Sequence, residues 1–239
     1  MYENLYIVTG ASSGIGKQIS LVLLKNNKKI LGISRNKLKI KSNNYKFIKH
    51  DFKNNLNVKK INKYLKKYRY LYIICAAGKR GYLKNNKKNI ADTININFSN
   101  QFKFVNKIKK FKKIKKTVFF SSFNIFREKK IDDVGYQIGK KLIYETAKND
   151  KSKNFQCYVM GNISTKMVKN HPSILKSLPL IGNFLENKIS IKPEYIAKRV
   201  IYNLNDNSTN IFYYPKIHPY LIKWIIKFLE IINKLIYRN

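Results

Sequence analysis

The sequence predicts an α/β fold, doubly wound, with helices on both faces of a mostly seven-stranded parallel sheet. Short apolar runs alternate with segments of helical periodicity along most of the 239 residues, which is the pattern of successive β-α-β units. The apolar runs are continuous, as expected for strands that are buried on both faces. We expect one domain over residues 1–217 and a C-terminal helix over residues 218–239.

The elements follow in order along the chain. The first helix carries apolar residues at helical spacing on one face, namely Ile15, Ile19, Val22 and Leu23. The expected strands are Leu5–Val8, Lys29–Ile33, Lys46–Ile48, Leu71–Cys75, Thr117–Phe120, Phe155–Val159 and Ile211–Tyr214. Further helices are expected over residues 57–67, about 92–113 and about 135–149.

The charge balance is strongly basic, with 50 Lys+Arg against 12 Asp+Glu and a net charge of +38. Lysine, isoleucine and asparagine dominate, as A/T-rich codons would produce, and the cations are spread along the whole chain. Few of them are arginine, whose bidentate fork serves base recognition. We attribute the charge to codon bias and expect no specific nucleic-acid partner, although weak attraction to anionic surfaces follows in either case.

The cysteines and histidines indicate neither a disulfide scaffold nor a metal site. Cys75 and Cys157 are far apart, and His50, His171 and His218 are scattered. The N-terminus lacks the basic and apolar regions of a secretory signal. We therefore expect a cytoplasmic protein.

A glycine-rich turn joins the first strand to the first helix. It reads Thr9-Gly10-Ala11-Ser12-Ser13-Gly14-Ile15-Gly16. Glycines allow a tight turn and a close approach of a pyrophosphate to the backbone, and the helix N-terminus offers free amides and a favourable dipole. The turn therefore predicts a nucleotide site at the carboxyl end of the first strand.

A tyrosine and a lysine one helical turn apart form a second motif. Tyr136 and Lys140 lie on one face of the helix over residues 135–149. An ammonium group beside a phenol favours its ionised form, which suits proton exchange at neutral pH. Such pairs are common by chance in this chain, so the weight of the motif comes from its position after the fifth strand.

These two motifs resemble the TGxxxGxG and YxxxK motifs of the short-chain dehydrogenase/reductase family, and the resemblance extends from residue 5 to about 214. It implies a single Rossmann-fold domain that uses NAD or NADP. The cofactor-binding positions that it implies are Gly10, Ser12, Ser13, Gly14, Ile15, Gly16, Asp51, Ala76, Ala77, Gly78, Tyr136, Lys140, Gly161, Ile163 and Thr165. Cys75 and Met160 depart from the family, which has an asparagine that ties neighbouring strands and a proline at these places.

The resemblance also implies four catalytic residues. Tyr136 is the proton donor, and Lys140 binds the nicotinamide ribose and tunes Tyr136. Ser122 hydrogen-bonds the substrate oxygen, and Asn97 holds a water in a proton relay. Ser122 lies one residue further from Tyr136 than the family spacing, which we interpret as an insertion in the intervening loop. Ser121 therefore remains an alternative, since strand neighbours point to opposite sides.

Arg35 determines the expected cofactor. An acidic residue at the end of the second strand would hydrogen-bond the ribose hydroxyls of NAD, but this chain has Ile33-Ser34-Arg35. Arg35 can pair with a 2′-phosphate through a charge-assisted fork, and in the family such an arginine points to NADP. We expect NADP(H).

The expected reaction is hydride transfer between NADP(H) and a carbonyl or hydroxy substrate. Apolar residues within 166–192 predict a lid over a hydrophobic substrate, although they could equally pack against the domain. The alternatives are a 3-oxoacyl-carrier-protein reductase, whose acidic carrier protein would dock on the basic surface, and a non-catalytic nucleotide-binding regulator. A nucleic-acid-binding protein rests on charge alone.

The C-terminal segment 220–237 predicts an amphipathic helix. Its charged residues fall on one narrow stripe, namely Lys223, Lys227, Glu230 and Lys234. These charges argue against a membrane-spanning helix. Tyr220, Trp224 and Tyr237 with flanking lysines suit a helix that lies on an anionic membrane. We expect a homo-oligomer, a dimer or a tetramer, and the alternative is that this helix is buried between its subunits.

Overall fold

The structure is a computed structural model that describes residues 2–81, 86–110, 112–126, 133–165 and 190–216, and residues 220, 221, 223–225, 227, 228 and 231. The strands are β1 Tyr2–Thr9, β2 Ile30–Ser34, β3 Tyr45–Lys49, β4 Tyr68–Cys75, β5 Lys113–Ser122, β6 Phe155–Met160 and β7 Ile211–Tyr214. The helices are α1 Gly14–Lys25, α2 Lys59–Leu65, α3 Lys87–Ile94, α4 Asn100–Lys109, α5 Val134–Asn149 and α6 Pro193–Asn203.

The seven strands form one sheet in the order β3-β2-β1-β4-β5-β6-β7, and every neighbouring pair is parallel. The predicted fold class is therefore confirmed. All seven carboxyl ends lie at one edge of the sheet. The strand order reverses between β1 and β4, which is where ligands bind in open α/β sheets.

Two apolar clusters hold the helices against the two faces of the sheet. Ile7 and Val8 are consecutive in β1 and both fully buried, yet they belong to opposite clusters. Helices α2, α4 and α5 pack on the face of Ile7, and α1 and α6 pack on the face of Val8. This two-sided cover is the physical reason for the continuous apolar runs.

The helix predicted over residues 92–113 is wrong in extent. Instead, α3 ends at Ile94, a π-helical turn spans Asn95–Ser99, and α4 ends at Lys109. Lys113 already belongs to β5, where it pairs with Tyr70 of β4. The start of β5 has no apolar pattern, because the chain is rich in lysine after residue 108 and Lys113 is exposed. Backbone pairing rather than side-chain burial holds this part of the strand.

Towards the C-terminus, the structure contains a helix that was not predicted, and it describes only the last residues of the predicted lid. Helix α6 was not expected from the sequence. The lid expected over residues 166–192 lies outside the described residues apart from its last three, of which Ile191 forms a parallel bridge with Ile163. Within the described part of the chain, no helix is both long and apolar enough to cross a membrane.

Candidate active site

A cavity of about 570 Å³ opens at the carboxyl edge of the sheet. Its lining includes every residue predicted for the site except Gly16 and Asn97. Gly16 packs directly against the Gly10 carbonyl, where a Cβ atom would collide with it, and does not line the cavity. Asn97 is buried in the π-helical turn beside the cavity. The fold thus brings the two sequence motifs, which are more than a hundred residues apart, to one place.

The glycine turn passes very close to the segment that follows β4. Gly10 has a φ of +64°, and a Cβ atom there would lie 2.8 Å from the Ala77 nitrogen and 2.9 Å from the Ala76 oxygen. Only glycine fits this backbone conformation and this space. Helix α1 begins at Gly14, and in the described chain its first turn contains no acidic residue and Ser13 makes no side-chain cap. The first amides of α1 therefore remain available to an anionic group.

A threonine and a glutamine hold this segment where the family has an asparagine. The Thr9 hydroxyl donates to the side-chain oxygen of Gln101, and the Ala77 N–H donates to Thr9 Oγ1 at 3.0 Å. Gln101 Nε2 in turn donates to the Ala77 oxygen at 3.0 Å. Cys75 is buried without a structural role of this kind, and burial raises the pKa of its thiol. The tie between β1 and β4 thus exists, and sequence reasoning missed both of its residues.

The part of the cavity wall that follows β2 and β3 carries the residues expected near adenosine. Arg35 is exposed directly after β2. Asp51 is half-buried, and one of its carboxylate oxygens accepts the Lys53 N–H at 2.9 Å. His50 also lines the cavity, and burial lowers the pKa of its imidazole. An exposed cation and a carboxylate therefore flank this end of the cavity.

Two glycines and an aspartate position the helix that carries Tyr136 and Lys140. A Cβ atom at Gly135 would lie 2.8 Å from the Ile90 oxygen, so α5 packs directly on α3. Gly139 gives a similarly close approach to the π-helical turn, 3.1 Å from Asn97 Cβ. Asp133 caps α5 by accepting the Tyr136 N–H at 3.2 Å, and its second oxygen accepts the Gly81 N–H at 2.7 Å.

Tyr136 and Lys140 lie together at the inner wall of the cavity. Tyr136 is 9% exposed, and Lys140 Nζ lies 5.3 Å from the centre of its ring. Lys140 Nζ donates to the Phe120 oxygen at 2.7 Å. The pKa of Lys140 is lowered to about 8, chiefly by burial; Cys157 opposes this shift, and Arg80 adds a smaller lowering effect. The ammonium group is therefore held by the sheet and can release its proton near neutral pH.

The two serines at the end of β5 differ in what their hydroxyl groups contact. Ser121 Oγ donates to the Lys140 carbonyl oxygen at 2.8 Å. Ser122 Oγ accepts the Asn124 N–H at 3.3 Å, and no acceptor among the described residues takes its proton. Ser122 therefore keeps a donor for a ligand in the cavity, whereas Ser121 supports the helix.

Asn97 is 1% exposed and lies in the π-helical turn, a distortion that is frequent at functional sites. Its amide nitrogen donates to the Lys79 oxygen at 2.7 Å and the Thr93 oxygen at 2.8 Å. Its side-chain oxygen has no hydrogen-bond partner among the described residues. A buried carbonyl of this kind calls for a donor such as water.

The sequence interpretation missed the loop of residues 78–81. Asn97 holds the Lys79 oxygen, Asn89 Nδ2 donates to the Gly81 oxygen at 2.6 Å, and Asp133 holds the Gly81 N–H. The loop places the Arg80 guanidinium 4.7 Å from the centre of the Tyr136 ring. An aspartate three residues before Tyr136 is a recognisable helix cap, but nothing in the sequence indicates that Arg80 meets the ring.

Solved structures share this arrangement of strands and helices. A short chain dehydrogenase family protein from Francisella tularensis subsp. tularensis SCHU S4 is 23% identical, with a TM-score of 0.69 over 89% of this chain and 97% of that one. A 4-hydroxyisoleucine dehydrogenase complexed with NADH is 19% identical, with a TM-score of 0.71 over 88% and 96%. A short chain dehydrogenase from Burkholderia cenocepacia J2315 in complex with NADP is 15% identical, with a TM-score of 0.65 over 96% and 93%. No curated protein matches the chain in sequence.

The parallel seven-stranded sheet and its glycine turn have the fold of solved short-chain dehydrogenases. The chain belongs to the NAD dependent epimerase/dehydratase family, whose model matches residues 6–149, more than half of its length. Membership of an NAD-dependent family indicates an enzyme with a nucleotide cofactor.

Proposed function

We propose that the protein transfers hydride between NADP(H) and a carbonyl or hydroxy compound. The observation that carries this proposal is that Ser122, Tyr136 and Lys140 line the same cavity as the glycine turn. A proton donor, a hydrogen-bond donor for the substrate oxygen and a dinucleotide cradle are therefore within one site. A non-catalytic nucleotide-binding regulator would need neither the proton donor nor the hydrogen-bond donor.

The residues present fit a bound dinucleotide. The amides at the start of α1 and the Gly10 turn offer a pyrophosphate site, and Arg35 and Asp51 flank the adenosine end. Gly161, Ile163 and Thr165 line the same cavity, and Thr165 lies against Gly14 of the glycine turn. When bound there, the nicotinamide supplies or accepts the hydride.

The side chains of the chain carry the proton chemistry. In the direction of reduction, the Tyr136 hydroxyl gives its proton to the substrate oxygen as a general acid. Ser122 donates a hydrogen bond to the same oxygen as negative charge develops on it. The Lys140 ammonium favours the resulting phenolate. The unpaired Asn97 oxygen holds a water that returns a proton through Lys140.

The direct test is loss of NADPH absorbance with a panel of aldehydes, ketones, oxo acids and acyl-thioester β-ketones. Turnover of any class supports the proposal, and a strong preference for the acyl thioester would identify a 3-oxoacyl-carrier-protein reductase. Absence of NADPH oxidation and of NADP⁺ reduction across the panel and the matching alcohols would contradict it.

Substitution of Arg35 is expected to reduce the preference for NADPH over NADH. The exposed guanidinium after β2 would pair with the 2′-phosphate, which only NADPH carries. Arg35→Gln should lower kcat/KM for NADPH by about tenfold to a hundredfold. The value for NADH should change less than threefold, which makes NADH the control in the same variant. Equal efficiency of the wild-type enzyme with both cofactors would rule out the proposed specificity.

We also propose that the C-terminal segment lies on an anionic membrane surface. The described residues of this segment are helical, and Trp224, Phe228 and Ile231 are each about half exposed or more. Their spacing of four and three residues places them on one face, where the Trp224 and Phe228 rings stack with centroids 5.5 Å apart. Lys223 and Lys227 are exposed beside this face. The net charge of +38 complements anionic lipid.

Trp224→Ser in the full chain should weaken co-sedimentation with anionic liposomes by about tenfold or more, because the indole supplies much of the apolar area. Tyr202→Ser is the matched control, since Tyr202 is 78% exposed on α6. This variant should pellet like the wild type. Wild-type protein that does not pellet at physiological salt would contradict membrane binding. If Trp224→Ser then changed the oligomeric state, the face would belong to a subunit interface.

A further inference from the structure

Positive charge accumulates around Tyr136 beyond what the proton chemistry requires. Lys140 and Arg80 lie 5.3 Å and 4.7 Å from the centre of the Tyr136 ring. Lys79 and Lys140 line the cavity, and Arg80 lies next to Lys79 in the chain. The Lys79 ammonium contacts the neutral Asn89 side chain. The phosphate sites proposed above use the first amides of α1 and Arg35, and they require neither Arg80 nor Lys79.

Arg80 has no carboxylate partner in the part of the chain that the structure describes. The ion pair found there joins Lys53 to Asp92, away from the Tyr136 ring. The buried carboxylate of Asp133, which caps α5 and holds the loop, uses both oxygens to accept the backbone N–H groups of Gly81 and Tyr136. Arg80 is half-buried, so among the described residues its charge is left available to an anionic ligand.

The geometry of Arg80 also suits such an anion. The guanidinium lies over the Tyr136 ring, with its central carbon 4.7 Å from the ring centre. Its N–H groups lie in the plane and remain able to form two parallel hydrogen bonds with a carboxylate. The loop that carries Arg80 is fixed by Asn89, Asn97 and Asp133. The backbone that carries Arg80 is thus held in a fixed position, unlike that of a flexible surface cation.

We propose that Arg80 binds the carboxylate of the substrate, so that the preferred substrates are short oxo acids and the corresponding hydroxy acids. The inference rests on the proposed function. A carboxylate paired with Arg80 and a carbonyl oxygen at the Tyr136 hydroxyl are close enough to belong to one small molecule. In the reaction, the carbonyl carbon gains the hydride, its oxygen gains the proton of Tyr136, and NADPH is oxidised to NADP⁺.

The test compares each acid with its uncharged methyl ester. For 2-oxo and 3-oxo acids of four to six carbons, the measured quantity is the ratio of kcat/KM for the acid to that for the ester. The wild-type ratio should be at least ten, and Arg80→Gln should lower it by about tenfold to a hundredfold. A ratio is used because Arg80→Gln also alters the surroundings of Tyr136, which would affect both substrates.

Arg69→Gln is the matched control. Arg69 stacks on Tyr70 in a similar way, 5.1 Å from the ring centre, but near the start of β4 at the opposite end of the sheet. Its substitution should leave the ratio of acid to ester unchanged. If the wild-type enzyme reduces esters as efficiently as acids, or if Arg80→Gln keeps the wild-type ratio, the inference is overturned while the proposed function stands.

Binding of malonate separates the two proposals. Malonate should bind to the complex of the enzyme with NADP⁺ in calorimetry, and Arg80→Gln should weaken this binding by about tenfold or more. If no carbonyl compound is reduced but malonate binding still depends on Arg80, the proposed function fails and the anion site stands. Equal malonate binding by wild type and Arg80→Gln overturns the anion site.

Discussion

Replacement of Tyr136 with phenylalanine is expected to reduce kcat by about 10²–10⁴-fold, the range that a general acid contributes. The hydroxyl is the proton source for the substrate oxygen, whereas the ring fills the wall between Arg80 and Lys140. Phenylalanine keeps the ring and removes only the proton. Tyr136→Phe should therefore bind NADPH within about twofold of the wild type, as measured by fluorescence titration.

The same helix supplies the control. Tyr144 lies eight residues further along α5, where its hydroxyl contacts that of Tyr213 at 3.2 Å. Tyr144→Phe should retain turnover close to that of the wild type. Substantial turnover by Tyr136→Phe, or an equal loss in Tyr144→Phe, would show that Tyr136 is not the proton donor.

Replacement of Lys140 with methionine is expected to reduce turnover by about 10²-fold or more while it stabilises the folded protein near pH 7. The loss of turnover follows because no cation then favours the Tyr136 phenolate. The stability gain follows because burial disfavours the charged ammonium, which lowers the pKa of Lys140 to about 8. Keeping this buried group charged costs about 3 kcal/mol at neutral pH. This cost outweighs the hydrogen bond to Phe120, which contributes about 1 kcal/mol.

The effect of Lys140→Met on the free energy of unfolding should decrease as pH rises. Below pH 8 the lysine is charged in both the folded and the unfolded protein, so the cost of burying the charge is complete. As pH rises from about 8 to about 10.5, the folded protein holds neutral lysine and the cost disappears. The advantage of Lys140→Met in denaturant unfolding should therefore be largest at pH 7 and should vanish or reverse by about pH 10.5.

Lys116 is the matched control for a buried lysine. Its ammonium donates to the Lys153 oxygen, the Asp206 oxygen and the Asn207 side chain. Lys116→Met would leave three acceptors without their donor, so it should lower the free energy of unfolding by about 1–3 kcal/mol. Turnover should be unaffected, because Lys116 lies near the start of β5, away from the cavity. Destabilisation of Lys140→Met at pH 7 would contradict the burial argument.

The order of elements could be read from the sequence because hydrophobic burial is a local pattern. Ile7 and Val8 are consecutive apolar residues, and only a sheet covered on both faces buries both. The same logic failed over residues 92–113. There, the start of β5 depends on hydrogen bonds with β4, and the π-helical turn packs closely on α5 at Gly139. No local pattern records either contact.

By itself, the sequence determined the fold class and the residues that meet at the carboxyl edge of the sheet. It could do so because parallel strands bring the residues after each strand to one edge, whatever the loops between them. The tertiary structure alone decided which hydroxyl of Ser121 and Ser122 keeps its proton for a ligand, and that Thr9 and Gln101 replace a missing asparagine. It alone placed Arg80 on Tyr136. These contacts join residues up to 92 positions apart, so they arise from packing and leave no periodic trace in the chain.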